Sequence, residues 1–366
     1  MFLTMFEKIQ KVGQYFPHFW LGLLFSAIGL NLLDYEIPSL LINALIYLAI
    51  LGFGIFVYKQ KLFIYTFKRF VEAFIVLFVI VTLTFVLLRA VPGGPFDQDK
   101  ALPPDVKANI EKKYDLDKPL LIQYKNYLVK IVHGDLGESY KYIGRPVTEI
   151  IYESFPASFL LGFYSLLFSF LIGIPLGLFA AGRHNQFADN ASMIVAISGV
   201  SLPNFLVAAF LVQIFAMNLK ILPPAGWGSA AYYILPVFCL GMRPIAFIAR
   251  LTRSSVLDVI SSDYIRTARA KGLSHRTVMY KHVLKNSLIP VLTYSGPLVA
   301  AILTGSFVIE IFFAIPGIGK HLVQSVTNRD YPFILALTLL YAAVLVFSNL
   351  IVDLLYAFFD PRIRLT

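Results

Sequence analysis

Long apolar runs constrain this chain more than any other feature of its sequence. About 20 consecutive apolar residues cross the hydrocarbon core of a bilayer, and eight segments of the 366-residue chain approach or exceed that length. The eight segments are 19–33, 37–58, 70–91, 157–181, 191–219, 231–251, 288–313 and 334–358. Charged residues make up only 14% of the chain, whereas soluble domains are about a quarter charged. The sequence therefore predicts an all-α, polytopic membrane protein with about eight spans.

The Lys and Arg residues outside these spans concentrate on one side of the predicted membrane. Sixteen of them fall in five segments of one side, 1–18, 59–69, 182–190, 252–287 and 359–366. The short loops of the other side hold three, Lys220, Lys320 and Arg329. Because positively charged loops stay in the cytoplasm, we expect both termini to be cytoplasmic. The net charge of +10 then follows from membrane sidedness, and nucleic acid is not expected as a partner.

Residues 92–156 form the one sizeable insert between spans, and we expect it outside the cytoplasm. From Asp97 to Glu149 it holds nine basic and nine acidic residues, so the net charge of this stretch is zero. The run Pro103-Pro104-Asp105 is expected to begin a helix that runs through Tyr114, and Pro119 a second one that runs through Val132. The insert is either a structural cap or a docking surface.

Between two predicted spans lies the longest polar run of the basic side, residues 263–290. Asp263 suits the first turn of a short helix, since a carboxylate there faces the positive end of the helix dipole. Gly272 can take the left-handed conformation that ends this helix, and Leu273 can pack back on its last turn. Ser274 is a good N-cap for a second helix, and Pro290 can open the next span.

This basic segment has two possible partners. Anionic lipid head groups would attract it at about 1 kcal/mol per charge. A protein partner is favoured by the fixed pattern of helix, glycine, cap and helix, which attraction to lipid does not require. The small Ala268 and Ala270 would let such a partner approach closely, and Arg266, Arg269 and Lys271 would supply charged contacts.

Four polar residues within the spans are candidates for a transport path or for helix pairing. Arg243 lies deep in its span and could face a cavity, whereas Arg250, seven residues later on the same side, is close enough to the edge to snorkel. Glu310 lies near the outer end of its span. Asn349 and Asp353 are four residues apart and could bond a neighbouring helix.

The sequence lacks the marks of an enzyme. The run Gly317–Lys320 looks like part of an ATP-binding loop, but Ala314 replaces its first glycine and His321 its Ser or Thr. The six histidines are scattered without metal-ligand spacing, so no metal site is expected. The single cysteine excludes a disulfide framework, and a membrane protease is disfavoured because no serine has a Gly-x-Ser-x-Gly setting.

Two runs resemble the ABC-transporter permeases of the dipeptide/oligopeptide import family, B-type subunit. They are ARAKGLS followed by KHVLKNSLIP, similar to the coupling loop of that family, and GSFVIEIFFAIPGIGK around Glu310. The layout of the insert and the tail DPRIR are similar as well. The general permease loop begins Glu-Ala-Ala, but Arg266 stands in the place of the glutamate.

The resemblance implies a type I ABC importer permease core of six helices. Residues 70–91 would form its first helix, 92–156 the insert, 157–358 the permease domain with a coupling loop at 252–287, and 359–366 the cytoplasmic tail. A two-helix extension, residues 1–69, would precede this core. The protein would lie in the bacterial inner membrane.

The resemblance also implies partners. They are a second permease subunit, two ATP-binding subunits and an extracytoplasmic solute-binding protein, besides membrane lipid. ATP and Mg would be bound by the ATPases, and no cofactor by this chain. The residues that dock on an ATPase would be Asp263, Arg266, Thr267, Ala268, Arg269, Ala270, Lys271, Gly272, Leu273 and Ser274. Peptides are the default substrate, although related importers carry nickel, glutathione or peptide antibiotics.

The alternative function is that of a secondary transporter or channel driven by an ion gradient. Such proteins show inverted repeats and carboxylates along the transport path. This sequence shows no internal repeat, and Glu310 and Asp353 are the candidate carboxylates within its spans. Transport by this chain alone in ATP-free vesicles would favour the alternative, and co-elution with ATPase subunits would favour the permease.

Overall fold

The computed structural model describes residues 63–92, 95–96, 104–189, 191–194 and 202–359. The predicted spans at 19–33 and 37–58 and the DPRIR tail lie outside the described residues. Contacts divide the chain into two compact units, Met1–Phe74 with Asp360–Thr366, and Ile75–Phe359. Only residues 63–74 of the first unit are described, as the start of a helix, and the architecture below is that of the second unit.

The described residues are almost entirely helical. The helices are α1 (Phe63–Ala90), α2 (Pro104–Lys113), α3 (Leu120–Val132), α4 (Val147–Gly182), α5 (Asn204–Leu211, continued as a π-helical stretch Val212–Asn218), α6 (Ala230–Ile260), α7 (Asp263–Ala270), α8 (His275–Thr277, a π-helical stretch Val278–Val283 and Leu284–Ser287), α9 (Ile289–Leu303), α10 (Phe307–Phe312), α11 (Gly319–Thr327) and α12 (Tyr331–Phe359).

Five stretches of the described helices are long and apolar enough to cross a membrane. They are Thr66–Ala90, Val147–Gly182, Ala230–Ile260, Ile289–Phe312 and Tyr331–Asp353, and Asn204–Asn218 is a shorter apolar helix. Each corresponds to one of the spans predicted from the sequence. The helices α4 and α6 extend well beyond the predicted boundaries of their spans. The reason is that the prediction followed apolar residues, whereas these helices continue through polar residues at their ends.

Two of the predicted spans are less regular than expected. In the described part of the segment 191–219, residues 191–194 are helical, and a further helix begins at Asn204 after Pro203 in an extended conformation (φ −59°, ψ 138°), because a proline disfavours helix at the residue before it. The predicted span 288–313 breaks after Leu303. Gly305 lies there at φ +94°, a conformation that glycine adopts without strain.

Glycines allow the central helices to approach each other closely. A Cβ atom on Gly173 of α4 would lie 2.9 Å from the Ile248 side chain of α6, and one on Gly177 would lie 2.6 Å from Thr252. Small residues at such seams let membrane helices pack backbone to backbone. Because the contacting residue numbers increase together along both helices, α4 and α6 run parallel. The segment between them therefore returns along the bundle, with α5 as the return helix.

Two clusters of buried residues lie at opposite ends of α4. The basic-end cluster comprises Ala181, Val256, Ile265, Ala268, Val278, Met279 and Val283. The insert-end cluster comprises Val147, Ile150, Ile318, Phe333, Ala336 and Leu337. Val147 and Ala181 are separated by about 51 Å at the helical rise of about 1.5 Å per residue. This separation exceeds the bilayer core of about 30 Å, so both clusters can lie at or beyond the membrane surfaces.

The insert contains the two helices that its prolines predict. α2 begins at Pro104, and Pro119 is the N-cap of α3. The loop between α3 and α4 is held against the start of α12 by the buried Asp330. This carboxylate accepts hydrogen bonds from Ser139 Oγ and from the backbone N–H of Tyr140 (3.1 Å). This contact fixes the loop on the permease end of the chain.

Candidate functional site

The short helix α7 begins and ends as its sequence predicts. Ser262 is its N-cap residue, in an extended conformation, and Asp263 lies in its first turn. At the other end, Gly272 N–H donates to the Arg269 carbonyl (2.9 Å) and Leu273 N–H to the Ala268 carbonyl (3.4 Å). These two bonds form a Schellman motif.

The residue that turns the chain after α7 is Gly272. It has φ +76°, the left-handed region in which L-residues with a side chain are disfavoured. A Cβ atom on Gly272 would meet nothing within 4 Å, so the requirement for glycine comes from the backbone alone. Ser274 then caps α8 by accepting a hydrogen bond from Thr277 N–H (3.3 Å).

One side of α7 is anchored in the basic-end cluster. Ile265 is fully buried there, and Ala268 is only 7% exposed. Burying an Ile side chain contributes about 2 kcal/mol. The sequence-based expectation that both small residues face a partner is therefore wrong for Ala268, since Ala268 packs toward α6 and α8 and only Ala270 is on the open side.

A polar contact ties α7 to α8. The Tyr264 hydroxyl accepts a hydrogen bond from Asn286 Nδ2 (2.7 Å) and lies 3.5 Å from the His282 carbonyl oxygen. The sequence analysis did not single out Tyr264. Its position next to Ile265 and four residues before Ala268 was the available signal, since these three positions lie on one side of a helix.

The other side of α7 is open and largely cationic. Its exposed residues are Asp263, Arg266, Thr267, Arg269, Ala270 and Lys271, and we call them the open face of α7. The ion pair between Arg266 Nη1 and Asp263 Oδ1 (3.7 Å) joins side chains that are 75% and 98% exposed, and such pairs contribute little. These side chains therefore remain available to a partner.

An ion pair between Arg253 and the buried Asp189 stabilises the basic end of α6. Arg253 donates to Asp189 through Nε and Nη2, both at 2.6 Å, and Asn185 N–H donates to the same carboxylate (3.0 Å). The hydrogen bonds from Arg253 hold the pKa of Asp189 at about 2, well below its usual range, although burial acts in the opposite direction. Arg253 was counted with the loop cations, but it is bound inside this chain.

Glu310, one of the four candidates for the transport path or for helix pairing, is enclosed by residues of this chain. Its carboxylate accepts from Ser158 Oγ (2.6 Å) and from Gly319 N–H (2.7 Å), and the side chain is fully buried. A Cβ atom on Gly305 would lie 2.5 Å from Glu310 Oε1, and one on Gly317 would overlap the carboxyl group. Gly317 and Gly319, which look like part of an ATP-binding loop in the sequence, therefore pack against this carboxylate.

The remaining intramembrane candidates lie apart from each other. Asn349 of α12 packs against Gly296 of α9, where a Cβ atom would overlap its side-chain oxygen. Asp353 is half-buried on the same helix, one turn further on. Arg243 is exposed on α6, and Arg250 lies over the Phe247 ring at 5.3 Å. No common site brings these residues together with α7.

Sequence comparisons place the chain in a known family. The sequence model described as "Binding-protein-dependent transport system inner membrane component" matches residues 173–365, and that of the N-terminal region of such components matches residues 62–161. Together the two matches cover the core helices and the insert.

Curated relatives agree with this placement. The chain is 47% identical over 301 residues to the dipeptide transport system permease protein DppB of Bacillus subtilis, across 82% of this chain and 98% of the relative. It is 45% identical over 299 residues to the oligopeptide transport system permease protein OppB of Salmonella typhimurium, across 81% and 98%. A structure of the MetNI methionine ABC transporter aligns with 57% of this chain and 95% of its own at 19% identity and a TM-score of 0.43. The chain therefore belongs to the family of binding-protein-dependent transport system inner membrane components, as a permease subunit.

Proposed function

We propose that this chain is one of two permease subunits of an ATP-driven importer for dipeptides or oligopeptides. The names of the relatives DppB and OppB, as dipeptide and oligopeptide transport permeases, support the substrate class. The other subunits would be a second permease, two ATPases that bind ATP and Mg, and an extracytoplasmic solute-binding protein. The chain would lie in the bacterial inner membrane with α7 and both termini in the cytoplasm.

The observation that carries the coupling role is the two-sided character of α7. Its open face bears Arg266, Arg269 and Lys271. Its buried face is fixed to α4, α6 and α8 through Ile265 in the basic-end cluster. A partner that moves α7 must therefore move the ends of three helices with it.

The mechanism follows from this attachment. When ATP closes the pair of ATPases, the surface under α7 shifts, and α7 carries the shift into the bundle. The ATPases can bias the bundle only if they bind α7 differently in its two states. The rigid connections through Ile265 and through the Tyr264–Asn286 hydrogen bond prevent α7 from moving alone.

The experiment is a charge-matched comparison of two triple variants. Arg266→Ala, Arg269→Ala and Lys271→Ala together remove three cations from α7 and its C-cap, and Arg276→Ala, Lys281→Ala and Lys285→Ala remove three exposed cations from α8. The complex is purified through a tag on this chain. We expect the first variant to lose the ATPase subunits and the second to retain most of them.

Equal loss in both variants would mean that the cations act through general attraction to lipid, and the docking role of α7 would be wrong. Transport by the purified chain in ATP-free vesicles with an ion gradient would contradict the whole proposal, since it would show that no ATPase is needed.

A further inference from the structure

Arg243 stands exposed on α6, in the middle of a span. Within the described parts of the chain, no hydrogen bond, ion pair or ring contact holds its guanidinium group. Arg250, on the same side of α6, differs because its guanidinium group lies over Phe247. Charged residues in spans face a bundle interior or a water-filled cavity.

The depth of Arg243 can be judged from Arg253. Arg253 binds Asp189, which follows the end of α4 in the loop expected on the basic side, and we take this ion pair as the edge of the membrane. Arg243 precedes Arg253 by ten residues on α6, which places it about 15 Å from that edge. This is near the midplane of a core about 30 Å thick. Arg250 lies within snorkelling distance of the edge, but Arg243 does not.

The face of α6 around Arg243 differs from the glycine seam between α4 and α6. Seams between spans use small residues, as Gly173 and Gly177 of α4 do against α6. The face around Arg243 instead carries long cationic and aromatic side chains. Next to Arg243, Phe247 stacks on Tyr294 of α9 with 4.0 Å between ring centroids. Such a surface suits contact with water and solute.

The open part of this face begins at Arg243. On the same side of α6, Pro236, Cys239 and Leu240 are buried within this chain on the insert side of Arg243. Toward the basic end, Arg243 and Arg250 are both exposed. Arg243 is therefore the first exposed residue on this side of α6 as the helix runs toward the basic end.

We propose that Arg243 lines the translocation path and binds the C-terminal carboxylate of the transported peptide. This inference rests on the proposed function as a peptide importer. A guanidinium group can bind a carboxylate through two parallel hydrogen bonds. Because every linear peptide has this carboxylate, its recognition is independent of sequence, while the flat Phe247–Tyr294 wall accepts different side chains.

The test compares trialanine with its C-terminal amide in the complete transporter, reconstituted with its ATPases and binding protein. Uptake turnover is measured at saturating substrate for the wild type, Arg243→Gln and Arg250→Gln. The binding protein is the same throughout, so its own preference is common to all three acid-to-amide ratios and cancels when a variant is compared with the wild type. We expect Arg243→Gln to lower this ratio by about tenfold, as loss of a hydrogen bond to a charged group predicts, and Arg250→Gln to leave it unchanged.

A second measurement tests access from water. The natural chain has one cysteine, Cys239, which is buried at 1% exposure and provides an unreactive background. In the assembled transporter, Arg243→Cys should react with small charged thiol reagents. A reagent that adds an ammonium group should restore uptake, and one that adds a sulfonate should abolish it.

Two results would overturn the inference alone. One is an acid-to-amide ratio unchanged in Arg243→Gln, which would indicate pairing with the second permease. The other is a failure of Arg243→Cys to react in a transporter that still hydrolyses ATP. Failure of the wild-type chain to assemble with ATPases would overturn the proposed function and the inference with it.

Discussion

The turn after α7 depends on the backbone conformation of Gly272. We predict that Gly272→Val leaves the chain inserted but abolishes the ATP hydrolysis that the binding protein stimulates. The left-handed conformation costs a residue with a side chain about 1–2 kcal/mol, and a β-branched residue more. Since no neighbour contacts this position, the strain can only be relieved by moving the end of α7.

Gly134 offers a matched control for this substitution. It also has φ +76° and open space around its Cβ position, but it follows α3 in the insert. Gly134→Val should carry a similar strain and retain coupled hydrolysis. Full coupling in Gly272→Val would contradict the assignment of α7.

Glu310 tests whether a buried carboxylate serves structure or transport. Glu310→Ala removes the acceptor for Ser158 Oγ and Gly319 N–H, and each buried donor left without a partner costs about 1–3 kcal/mol. We predict a clear fall in the thermal unfolding temperature of the purified chain, and a smaller one for Glu310→Gln.

The exposed Val308 on the same helix provides the control, since Val308→Ala removes no hydrogen bond and should leave the unfolding temperature nearly unchanged. If Glu310→Ala kept wild-type stability but changed substrate preference, the carboxylate would instead belong to the transport path.

Single residues also show where sequence reasoning stops. The roles of Gly272, Ser274 and Pro119 in local structure were predictable because caps and turns depend on residues a few positions away. The partners of Glu310 were not, since Ser158 is 152 residues away in the chain. For the same reason the loop cations could not be divided into the bound Arg253 and the open Arg266.

At the scale of elements, the ion pair of Asp189 and Arg253 joins the segment after α4 to the end of α6. We predict that Asp189→Asn and Arg253→Gln are not additive, with a coupling energy of about 1–3 kcal/mol. The reason is that each single substitution already leaves a buried polar group without its partner. Thermal unfolding of the two single variants and the double variant measures this energy, and additive effects would contradict the pairing.

The pH dependence of this pair follows from the lowered pKa. The pKa of Asp189 falls from its usual value to about 2 in the folded chain. Its contribution to stability is therefore complete above the unfolded pKa of about 3.9 and is lost as the pH falls toward 2. We expect the double-mutant coupling energy to be constant between pH 5 and pH 8, and unfolding measured across that range checks this.

Helix existence was predictable, but helix shape was not. Apolar length alone located the five long helices, because a bilayer requires it. The break at Gly305 lies in the short stretch 304–306 within a predicted span, and Gly, Ser and Thr are also common where membrane helices pack together, so these residues did not by themselves indicate a break. The two faces of α7 were likewise hidden, since Ala268 and Ala270 are the same residue type and only packing distinguishes them.

At the scale of the whole molecule, the parallel course of α4 and α6 fixes how the chain crosses the membrane. The chain leaves α4 at the basic-end cluster and must cross back before α6, so the segment 191–219 counts as a crossing, with helix described at 191–194 and at Asn204–Asn218. Three crossings then separate the loop before α4 from α7. An odd number places that loop and α7 on opposite sides.

Thiol labelling of intact cells can measure this directly. Ile143, 81% exposed in the loop before α4, and Arg266 on α7 are each replaced by cysteine. We predict that an impermeant maleimide labels Ile143→Cys in intact cells and labels Arg266→Cys only in inverted vesicles. The buried Cys239 should leave the wild type unlabelled in both. Labelling of both variants from the same side would require an even number of crossings, which would turn 191–219 into a re-entrant segment and remove α7 from the compartment that contains ATP.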